Sequence, residues 1–254
     1  IESMFDDYSE SAGIGKELTI DYLRSLEIRG SEITIESKTA DKPNYTEYIA
    51  SYLSEGNRIY GLLTIPTSES PEGGFPAIVF NHGYIPPEDY NTTERYIDYV
   101  DFLAQRGFVV FKIDYRGHGR SEGEPNWGYF SPGYTIDTII ALKSLQLMDF
   151  VNSGRIGMWG HSMGGNVVLR AMLIEPDIQA GVIWAGAVYS YDDFMHYSIG
   201  NSTYTPTRDD LSRGRQMDRG IFDIHGPPDT NDPYWRSVSL TENIEYLQKP
   251  VQIH

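Results

Sequence analysis

The sequence predicts an α/β fold in which helices cover both faces of a mostly parallel central sheet. After Pro66, short β-branched runs alternate with segments of helical spacing, which is typical of βαβ units on a parallel sheet. Before Pro66, three segments alternate with the period of two that strands show. The length of 254 residues suits one large domain better than two small ones.

The first thirty residues are acidic and weakly patterned, with one stretch, 18–26, that fits a short helix. From Ser31 the period of two begins, and Ser-Glu-Gly-Asn at 54–57 predicts a turn within it. We therefore expect residues 1–58 to form an N-terminal extension with leading strands, followed by a core domain over 59–254. The strands expected before Pro66 are 32–37, 45–52 and 59–65.

The core is expected to alternate strictly between strand and helix. The predicted strands are 77–81, 108–114, 155–159 and 180–187. The predicted helices are 93–105, 136–150 and one that begins at Met163. From 188 to 235 the pattern dissolves into Tyr, Asp, Ser, Gly and Pro, which predicts a loop-rich insertion with one helix near 208–219. Residues 250–254 then predict another buried strand.

A hexapeptide, Gly-His-Ser-Met-Gly-Gly at 160–165, lies between an apolar run and a helix-like segment. A G-x-S-x-G sequence in that context is typical of a nucleophile elbow. The serine of such an elbow occupies a strained turn, and the glycines on either side leave room where strand and helix crowd together. The motif therefore predicts that Ser162 is presented as a nucleophile.

Two further signatures occur upstream of this motif. Residues 77–84, Ala-Ile-Val-Phe-Asn-His-Gly-Tyr, resemble the third strand and oxyanion loop of the α/β-hydrolase superfamily. Residues 114–121, Asp-Tyr-Arg-Gly-His-Gly-Arg-Ser, resemble the turn after its fourth strand. From residue 59 onward the chain is similar to the prolyl-oligopeptidase-like and esterase-like members. The resemblance implies the α/β-hydrolase fold, with the 188–235 insertion as its lid.

The same resemblance implies a serine hydrolase that cleaves an ester or a peptide through an acyl-enzyme on Ser162, with no cofactor. The backbone N–H of Met163, which follows the serine, is then one donor to the oxyanion. The resemblance assigns the second donor to the N–H of Tyr84. Neither a G-x-x-x-x-G-K-[ST] nor an H-E-x-x-H sequence occurs, so no nucleotide or metal site is indicated.

The catalytic acid and base are harder to place. The chain order in this superfamily is serine, acid, histidine, with the acid just beyond the strand that here begins at Val251. The histidines after Ser162 are His196, His225 and His254, and none lies in a segment like the family's late histidine loop. We therefore expect the acid and base to lie beyond His254, in the remainder of a longer chain.

Two alternatives remain open. In the first, Asp192 or Asp193 is the acid and His225 the base, which preserves the required order. In the second, the chain keeps the fold without turnover and serves as a binding or scaffold protein, because a fold by itself does not establish an activity.

Other motif residues are expected to be structural, because their side chains form hydrogen bonds with loop backbone or stabilise a turn. These are His82, His118, His161, Asp114 and Arg116.

Composition excludes several classes of function. The net charge is −16, with 20 Lys and Arg against 36 Asp and Glu, which argues against a nucleic-acid partner. The absence of cysteine excludes disulfides, thiolate metal sites and a cysteine nucleophile. No stretch reaches the roughly 18 apolar residues of a membrane span. These features predict a soluble protein and leave export and oligomeric state open, whereas the small ester or peptide substrate is what the resemblance implies.

Overall fold

The computed structural model describes residues 15–126, 128–191, 193 and 221–254. In this part of the chain one eight-stranded sheet has the order β1-β2-β3-β5-β4-β6-β7-β8. The strands are β1 (Thr34–Asp41), β2 (Tyr45–Ser54), β3 (Asn57–Pro66), β4 (Phe75–Asn81), β5 (Val109–Ile113), β6 (Val151–His161), β7 (Gly181–Trp184) and β8 (Val251–Ile253).

The helices that accompany this sheet are short. They are α1 (Ile20–Ser25), α2 (Ile97–Ala104), α3 (Gly133–Leu145), α4 (Met163–Ile174) and α5 (Pro233–Val238), with 3₁₀ turns at Lys16–Leu18, Pro87–Asp89 and Thr241–Tyr246. A helix needs about 20 apolar residues to cross a bilayer. None of the helices among the described residues combines the required length with the required apolar character.

The two halves of the sheet differ in direction. β1, β2 and β3 form an antiparallel meander, and β3 also pairs antiparallel with β5. The remaining four pairs, from β5 through β4, β6 and β7 to β8, are all parallel. The three predicted leading strands and the predicted βαβ units are therefore both present, and the mostly parallel α/β sheet is confirmed.

The strand order determines where the candidate motifs meet. β4 lies between β5 and β6, so the chain reverses its direction of strand addition at this point. Asn81, the last residue of β4, pairs in register with Gly160 of β6. The segments that follow these two strands consequently leave the sheet side by side at its carboxyl edge, which is where open α/β sheets bind ligands.

The helix that follows β6 is the most enclosed element. Every residue of α4 is buried, and so are all residues of α3 except Lys143. Such uniform burial explains why α3 shows little amphipathic pattern, since a helix surrounded by protein has no solvent face. The largest apolar cluster contains residues of both helices together with β2 to β7, including Phe111, Ile139 and Val168.

The N-terminal segment belongs to the same core. The predicted helix at 18–26 is confirmed by α1, in which Ile20 and Leu23 are buried in the main cluster. The Arg24 guanidinium donates a hydrogen bond to the carbonyl oxygen of Leu173, at the end of α4. The division of the chain at residue 58 stays a prediction, although β1 to β3 share one sheet with the core strands.

Several predicted boundaries differ from the observed ones, each for a backbone reason. The helix expected from residue 93 begins only at Ile97, because Arg95 and Tyr96 adopt positive φ angles of 48° and 58°. The strand expected to run to residue 187 ends at Trp184, where Ala185 has a φ of 43°. The C-terminal strand β8 forms as predicted, but Ile253 is exposed rather than buried.

The insertion predicted for 188–235 is described only in part. Residues 221–225 form a helical turn that precedes α5, whereas the helix predicted near 208–219 lies outside the described residues. The described portions form a second apolar cluster with the N-terminal segment and with residues 129 and 130. Its buried members include Leu18, Phe130, Tyr191, Ile221 and Trp235.

Candidate active site

Ser162 occupies a tight turn between β6 and α4. Its φ and ψ angles are 53° and −119°, a combination that L-residues rarely adopt. The turn is held by backbone hydrogen bonds from Ser162 N–H to the carbonyl of Trp184, at 3.0 Å, and from Ala187 N–H to the carbonyl of Ser162, at 3.1 Å. The end of β7 therefore maintains the strained conformation of this serine.

The two glycines of the G-x-S-x-G motif are required for steric reasons. A Cβ atom at position 160 would collide with the carbonyl group of Gly164, one turn into α4. A Cβ atom at position 164 would collide with the carbonyl oxygen of Asn81 and lie 2.7 Å from that of His82. The start of α4 consequently packs directly against the backbone at the end of β4.

The loop 82–84 lies beside this turn. A Cβ atom on Gly83 would be 3.1 Å from Nδ1 of His161 and 2.8 Å from the hydroxyl oxygen of Tyr96. Tyr84 is half-buried against the main core. The structure therefore brings the three predicted site residues, Tyr84, Ser162 and Met163, onto two neighbouring backbone segments at the carboxyl edge of the sheet.

Tyr96 links these two segments. Its hydroxyl oxygen accepts a hydrogen bond from the N–H of Gly83, at 3.1 Å, and lies 2.8 Å from Nδ1 of His161. Burial lowers the pKa of His161 and raises that of Tyr96. His161 was expected to bond backbone, whereas here it contacts a tyrosine hydroxyl.

Asn81 holds the end of β4 in place from within the sheet. Its buried side-chain oxygen accepts hydrogen bonds from the hydroxyls of Thr138, at 2.6 Å, and Tyr115, at 3.3 Å. Its amide group donates to the carbonyl of Trp159 on β6, at 3.4 Å. The residue immediately before the loop is thus bonded to α3, to the segment after β5, and to the strand that carries Ser162.

Two buried histidines, His82 and His118, contact backbone carbonyls in and around the loop 82–84, as predicted. Nδ1 of His82 lies 2.7 Å from the carbonyl oxygen of Gly83, and the two ring nitrogens of His118 lie 3.2 Å from the carbonyls of Arg116 and Ile85. Burial lowers the pKa of both imidazoles, that of His82 most strongly. Both are neutral near pH 7, and their ring contacts are with backbone and with neighbouring aromatic rings.

Asp114 and Lys112 anchor the segment between the loop and α2. The buried carboxylate of Asp114 accepts hydrogen bonds from the hydroxyls of Tyr90, at 2.8 Å, and Thr92. The buried ammonium group of Lys112 donates to the carbonyl of Glu94, at 3.0 Å. Burial raises the pKa of Asp114 to about 6 and lowers that of Lys112 to about 8.

Arg116 pins the turn after β5 to α3, as expected for this position. Its guanidinium forms two hydrogen bonds with the buried carboxylate of Asp137, with Nη2 to Oδ1 at 2.8 Å and Nε to Oδ2 at 3.1 Å. The backbone N–H of Arg116 donates to the same carboxylate at 3.0 Å, and Glu55 forms a second ion pair at 2.9 Å. Bidentate pairs of this kind fix orientation as well as charge.

A polar row on α4 extends from the serine toward the insertion. Asn166, one turn after Ser162, donates from its amide to the carbonyl of Ala187 at 3.0 Å. Arg170, a further turn along, is fully buried and donates to the carbonyls of Gly128, at 2.8 Å, and Tyr129, at 3.2 Å. These two side chains tie α4 to both segments that border the carboxyl edge of the sheet.

Comparison with known proteins assigns the chain to a family. The sequence model of the serine aminopeptidase S33 family matches residues 76–207, which include both candidate segments. The chain belongs to this family. The α/β-hydrolase fold and the esterase or peptidase class expected from the sequence motifs are thereby confirmed.

Individual relatives agree with the family assignment. The chain is 28% identical over 220 residues to the uncharacterized peptidase YtmA of Bacillus subtilis, covering 81% of this chain and 82% of that protein. It is 28% identical over 206 residues to the uncharacterized protein YfhR of Escherichia coli O157:H7, covering 78% and 68%. Among solved structures, the acetyl xylan esterase from Paenibacillus sp. R4 has a TM-score of 0.61 at 17% identity, covering 92% and 84%, which shows a shared fold.

The described residues of this S33 family member do not identify a catalytic base or acid for Ser162. Within the described part of the chain, no side chain forms a hydrogen bond with the Ser162 hydroxyl. The ring of His225 stacks on Tyr234 with centroids 3.5 Å apart, and the carboxylate of Asp193 accepts a hydrogen bond from Ser190 at 2.9 Å. Asp192 and His196 lie outside the described residues.

The aromatic residues in and near the 188–235 insertion separate into groups. Four of them pack together in the second apolar cluster: Tyr189, Tyr191, Tyr234 and Trp235. Trp184 lies elsewhere, against Tyr99 and His254, and Tyr246 bonds to Asp21 near the N-terminus. Tyr197 and Tyr204 lie outside the described residues.

Sequence reasoning missed Tyr96, Lys112 and Arg170. Tyr96 falls within the helix predicted at 93–105, and Lys112 occurs in a strand of otherwise apolar residues. The one usable signal was charge in a buried context, since a lysine or arginine inside a predicted core element needs a buried partner. Which partner it finds is decided by segments distant in sequence.

Proposed function

We propose that the chain is a serine hydrolase that transfers the acyl group of an ester or amide to Ser162 and then to water. The observation that supports this most directly is the strained turn of Ser162 at the start of a buried helix, beside the loop 82–84. A serine in such a turn projects from the carboxyl edge of the sheet, where substrate can reach it. Membership of the S33 family supports the same assignment.

The first step is attack by Oγ of Ser162 on the substrate carbonyl carbon while a base takes the hydroxyl proton. The carbonyl oxygen becomes an oxyanion, which we assign to the backbone N–H groups of Met163 and Tyr84. Met163 is the first residue of α4, so its N–H has no acceptor within the helix and is available to a ligand. The positive end of the helix dipole adds to this stabilisation.

Collapse of the tetrahedral intermediate expels the alcohol or amine, which receives the proton from the base, and leaves an ester on Ser162. Water then attacks this acyl-enzyme by the same route and releases a carboxylic acid. The described residues do not identify the base. His225 with Asp192 or Asp193 stays a candidate pair.

The insertion at 188–235 is proposed to act as the lid that selects the substrate. Arg170 bonds to Tyr191 of the insertion, Asn166 bonds to Ala187 directly before it, and its aromatic side chains pack around 129 and 130. Peptide and ester substrates use the same machinery, so both classes should be assayed, for example with aminoacyl p-nitroanilides and p-nitrophenyl esters. Exchange of this segment for that of a relative should alter the substrate profile.

The test uses the full-length protein and a fluorophosphonate, with the adduct mapped by mass spectrometry. We expect the label on Ser162 and a loss of roughly 10³-fold or more in kcat for Ser162→Ala. Ser153, exposed at the other end of β6, supplies the matched control, and Ser153→Ala should leave kcat unchanged. A label at another serine, or full turnover by Ser162→Ala, would refute the assignment.

Two further outcomes decide between the alternatives. A wild-type protein that binds ligands but neither labels nor turns over any ester or anilide would favour the non-catalytic scaffold. If His225→Ala abolishes turnover while the protein stays folded, His225 is the base. Circular dichroism of each variant establishes that the fold is intact.

A further inference from the structure

We propose that Tyr96 is a positioning residue that holds the loop 82–84 in register with the turn of Ser162. This inference rests on the proposed function, in which that loop and that turn each supply one oxyanion donor. No motif marks Tyr96, and it contacts neither Ser162 nor Tyr84 in the hydrogen-bond network of the described residues. Its role would be to set the distance between the two donors.

The hydroxyl of Tyr96 forms hydrogen bonds with both segments. It accepts from the N–H of Gly83, the residue before Tyr84, and it pairs with Nδ1 of His161, the residue before Ser162. The Tyr84 donor is thus one residue from Gly83, and the Met163 donor is two residues from His161. Gly83 and His161 both bond to the hydroxyl oxygen of Tyr96. A shift of either segment breaks one of these hydrogen bonds.

The direction of these bonds follows from their chemistry. Because the Gly83 N–H can only donate, the tyrosine oxygen is the acceptor in that bond, and its own proton is free to be donated. Nδ1 of a neutral imidazole can accept that proton. The lowered pKa of His161 supports the neutral form, with its proton on Nε2. The chain then runs from Gly83 N–H through Tyr96 O–H to His161.

The loop is shaped for this contact. A Cβ atom on residue 83 would lie only 2.8 Å from the Tyr96 hydroxyl oxygen, so any residue larger than glycine would displace that hydroxyl. The same hypothetical atom would lie 3.2 Å from the carbonyl oxygen of His161. The glycine of the His-Gly-Tyr sequence therefore provides space for a tyrosine that is distant in sequence.

The backbone at Tyr96 adopts a strained conformation, and this conformation directs the side chain toward Gly83 and His161. Arg95 and Tyr96 are consecutive non-glycine residues with positive φ angles of 48° and 58°. Such conformations persist only where surrounding structure enforces them, and they cluster at functional sites. A residue that only filled space at the start of α2 would not need them.

The enforcing contacts come from β5 and from the aromatic rings around Tyr96. The buried Lys112 ammonium bonds to the carbonyl of Glu94, directly before the strained pair. The ring of Tyr96 packs against Phe80, with centroids 5.7 Å apart, and against Trp159, at 6.4 Å. Both partners belong to the strands that carry the two donors, so the ring and the hydroxyl are positioned by the same pair of strands.

Loss of the hydroxyl should affect turnover more than substrate binding. Oxyanion donors act on charge that develops only in the transition state, so an interaction that positions them contributes to kcat rather than to KM. Tyr96→Phe removes one oxygen atom and keeps the ring packing. We expect kcat to fall by roughly 10-fold to 100-fold, with KM within about twofold of wild type.

Tyr99 supplies the matched control. It lies on the next turn of α2, its ring packs on the same Trp159 at 5.3 Å, and its hydroxyl forms no hydrogen bond with a described residue. Tyr99→Phe therefore removes an equivalent oxygen from the same aromatic group. We expect its kcat and KM to match those of wild type.

A second readout does not depend on catalysis. Amide hydrogen exchange at Gly83 should accelerate in Tyr96→Phe because its N–H loses its acceptor, and it should be unchanged in Tyr99→Phe. Thermal unfolding of both variants, followed by circular dichroism, should stay close to wild type. A general loss of stability in place of a local change at Gly83 would indicate a purely structural role and would contradict the proposal.

The outcomes separate this inference from the proposed function. If Ser162→Ala is inactive but Tyr96→Phe keeps wild-type kcat, Ser162 remains the nucleophile and the role of Tyr96 is refuted. If Ser162→Ala keeps full turnover, the proposed function is wrong. In that case, if amide exchange at Gly83 is unchanged in Tyr96→Phe, the positioning contact is refuted as well. If amide exchange at Gly83 accelerates, Tyr96 still positions the loop 82–84, and the loop has another function.

Discussion

Lys112 and Asp114 lie two residues apart at the end of β5, and both are fully buried beneath the segment that joins β4 to α2. Lys112 bonds to the backbone of that segment at Glu94, and Asp114 bonds to its side chains at Tyr90 and Thr92. The end of β5 thus stabilises the segment between β4 and α2, which contains the loop 82–84 and Tyr96. This arrangement makes the candidate site sensitive to two ionisable groups outside it.

Asp114 should give the stability of the protein a distinct pH dependence. Burial raises its pKa from 3.8 to about 6, so the folded state binds this proton more tightly than the unfolded state does. The free energy of unfolding of wild type, relative to Asp114→Asn, should therefore fall as the pH rises from about 4 to about 6. A shift of about two pKa units corresponds to about 3 kcal/mol. Urea unfolding of both proteins across this range measures it, and a pH-independent difference would contradict it.

Lys112 should act in the opposite direction at higher pH. Burial lowers its pKa from 10.5 to about 8, so the folded state binds this proton less tightly than the unfolded state does. Relative to Lys112→Met, the free energy of unfolding of wild type should rise between about pH 8 and pH 10.5, by about 3 kcal/mol at most. The same urea titrations test this expectation. A constant difference between the two proteins would show that Lys112 keeps an ordinary pKa.

The Arg116 to Asp137 pair should be among the most costly polar contacts to break. Arg116→Met leaves the fully buried carboxylate of Asp137 without its cation, and breaking a buried pair from one side typically costs about 3–5 kcal/mol. Chemical denaturation measures this loss. The exposed pair of Lys38 and Asp41 has the same 2.8 Å separation, so Lys38→Met is the control and should leave the unfolding midpoint unchanged. Equal effects from both variants would refute the role of burial.

Gly164→Ala should reduce stability and turnover together. The added methyl group would enter the carbonyl groups of Asn81 and His82, and overpacking of this kind typically costs about 1–3 kcal/mol. It would also push α4 away from the loop 82–84. Gly154→Ala, at an exposed position of β6 with its nearest neighbour 3.5 Å away, should change stability by less than about 0.5 kcal/mol. Thermal unfolding and ester hydrolysis of both variants test this. An alanine tolerated at 164 would mean that the two segments can separate without consequence.

Much of the fold could be predicted from sequence because its determinants are local or periodic. The alternation before Pro66 predicted three leading strands, and the strand and helix spacing after it predicted the parallel units. The errors occurred at boundaries where a tertiary contact overrides the local pattern. At Tyr96 the helical pattern continues through residues with positive φ angles, and the residue before them, Glu94, is bound to β5 through Lys112.

The candidate site divides in the same way. The elbow at Ser162 could be predicted from the motif, because the crowded turn between strand and helix requires glycine at 160 and 164, whereas the loop 82–84 was expected only from the family resemblance. Only the tertiary structure decided that Asn81 pairs with Gly160, that Tyr96 joins the loop to the turn, and that the arginine of α4 reaches the carbonyls at 128 and 129. Those contacts connect segments from 13 to 79 residues apart, and their partners are selected by strand order and by the need of each buried polar group for a hydrogen bond.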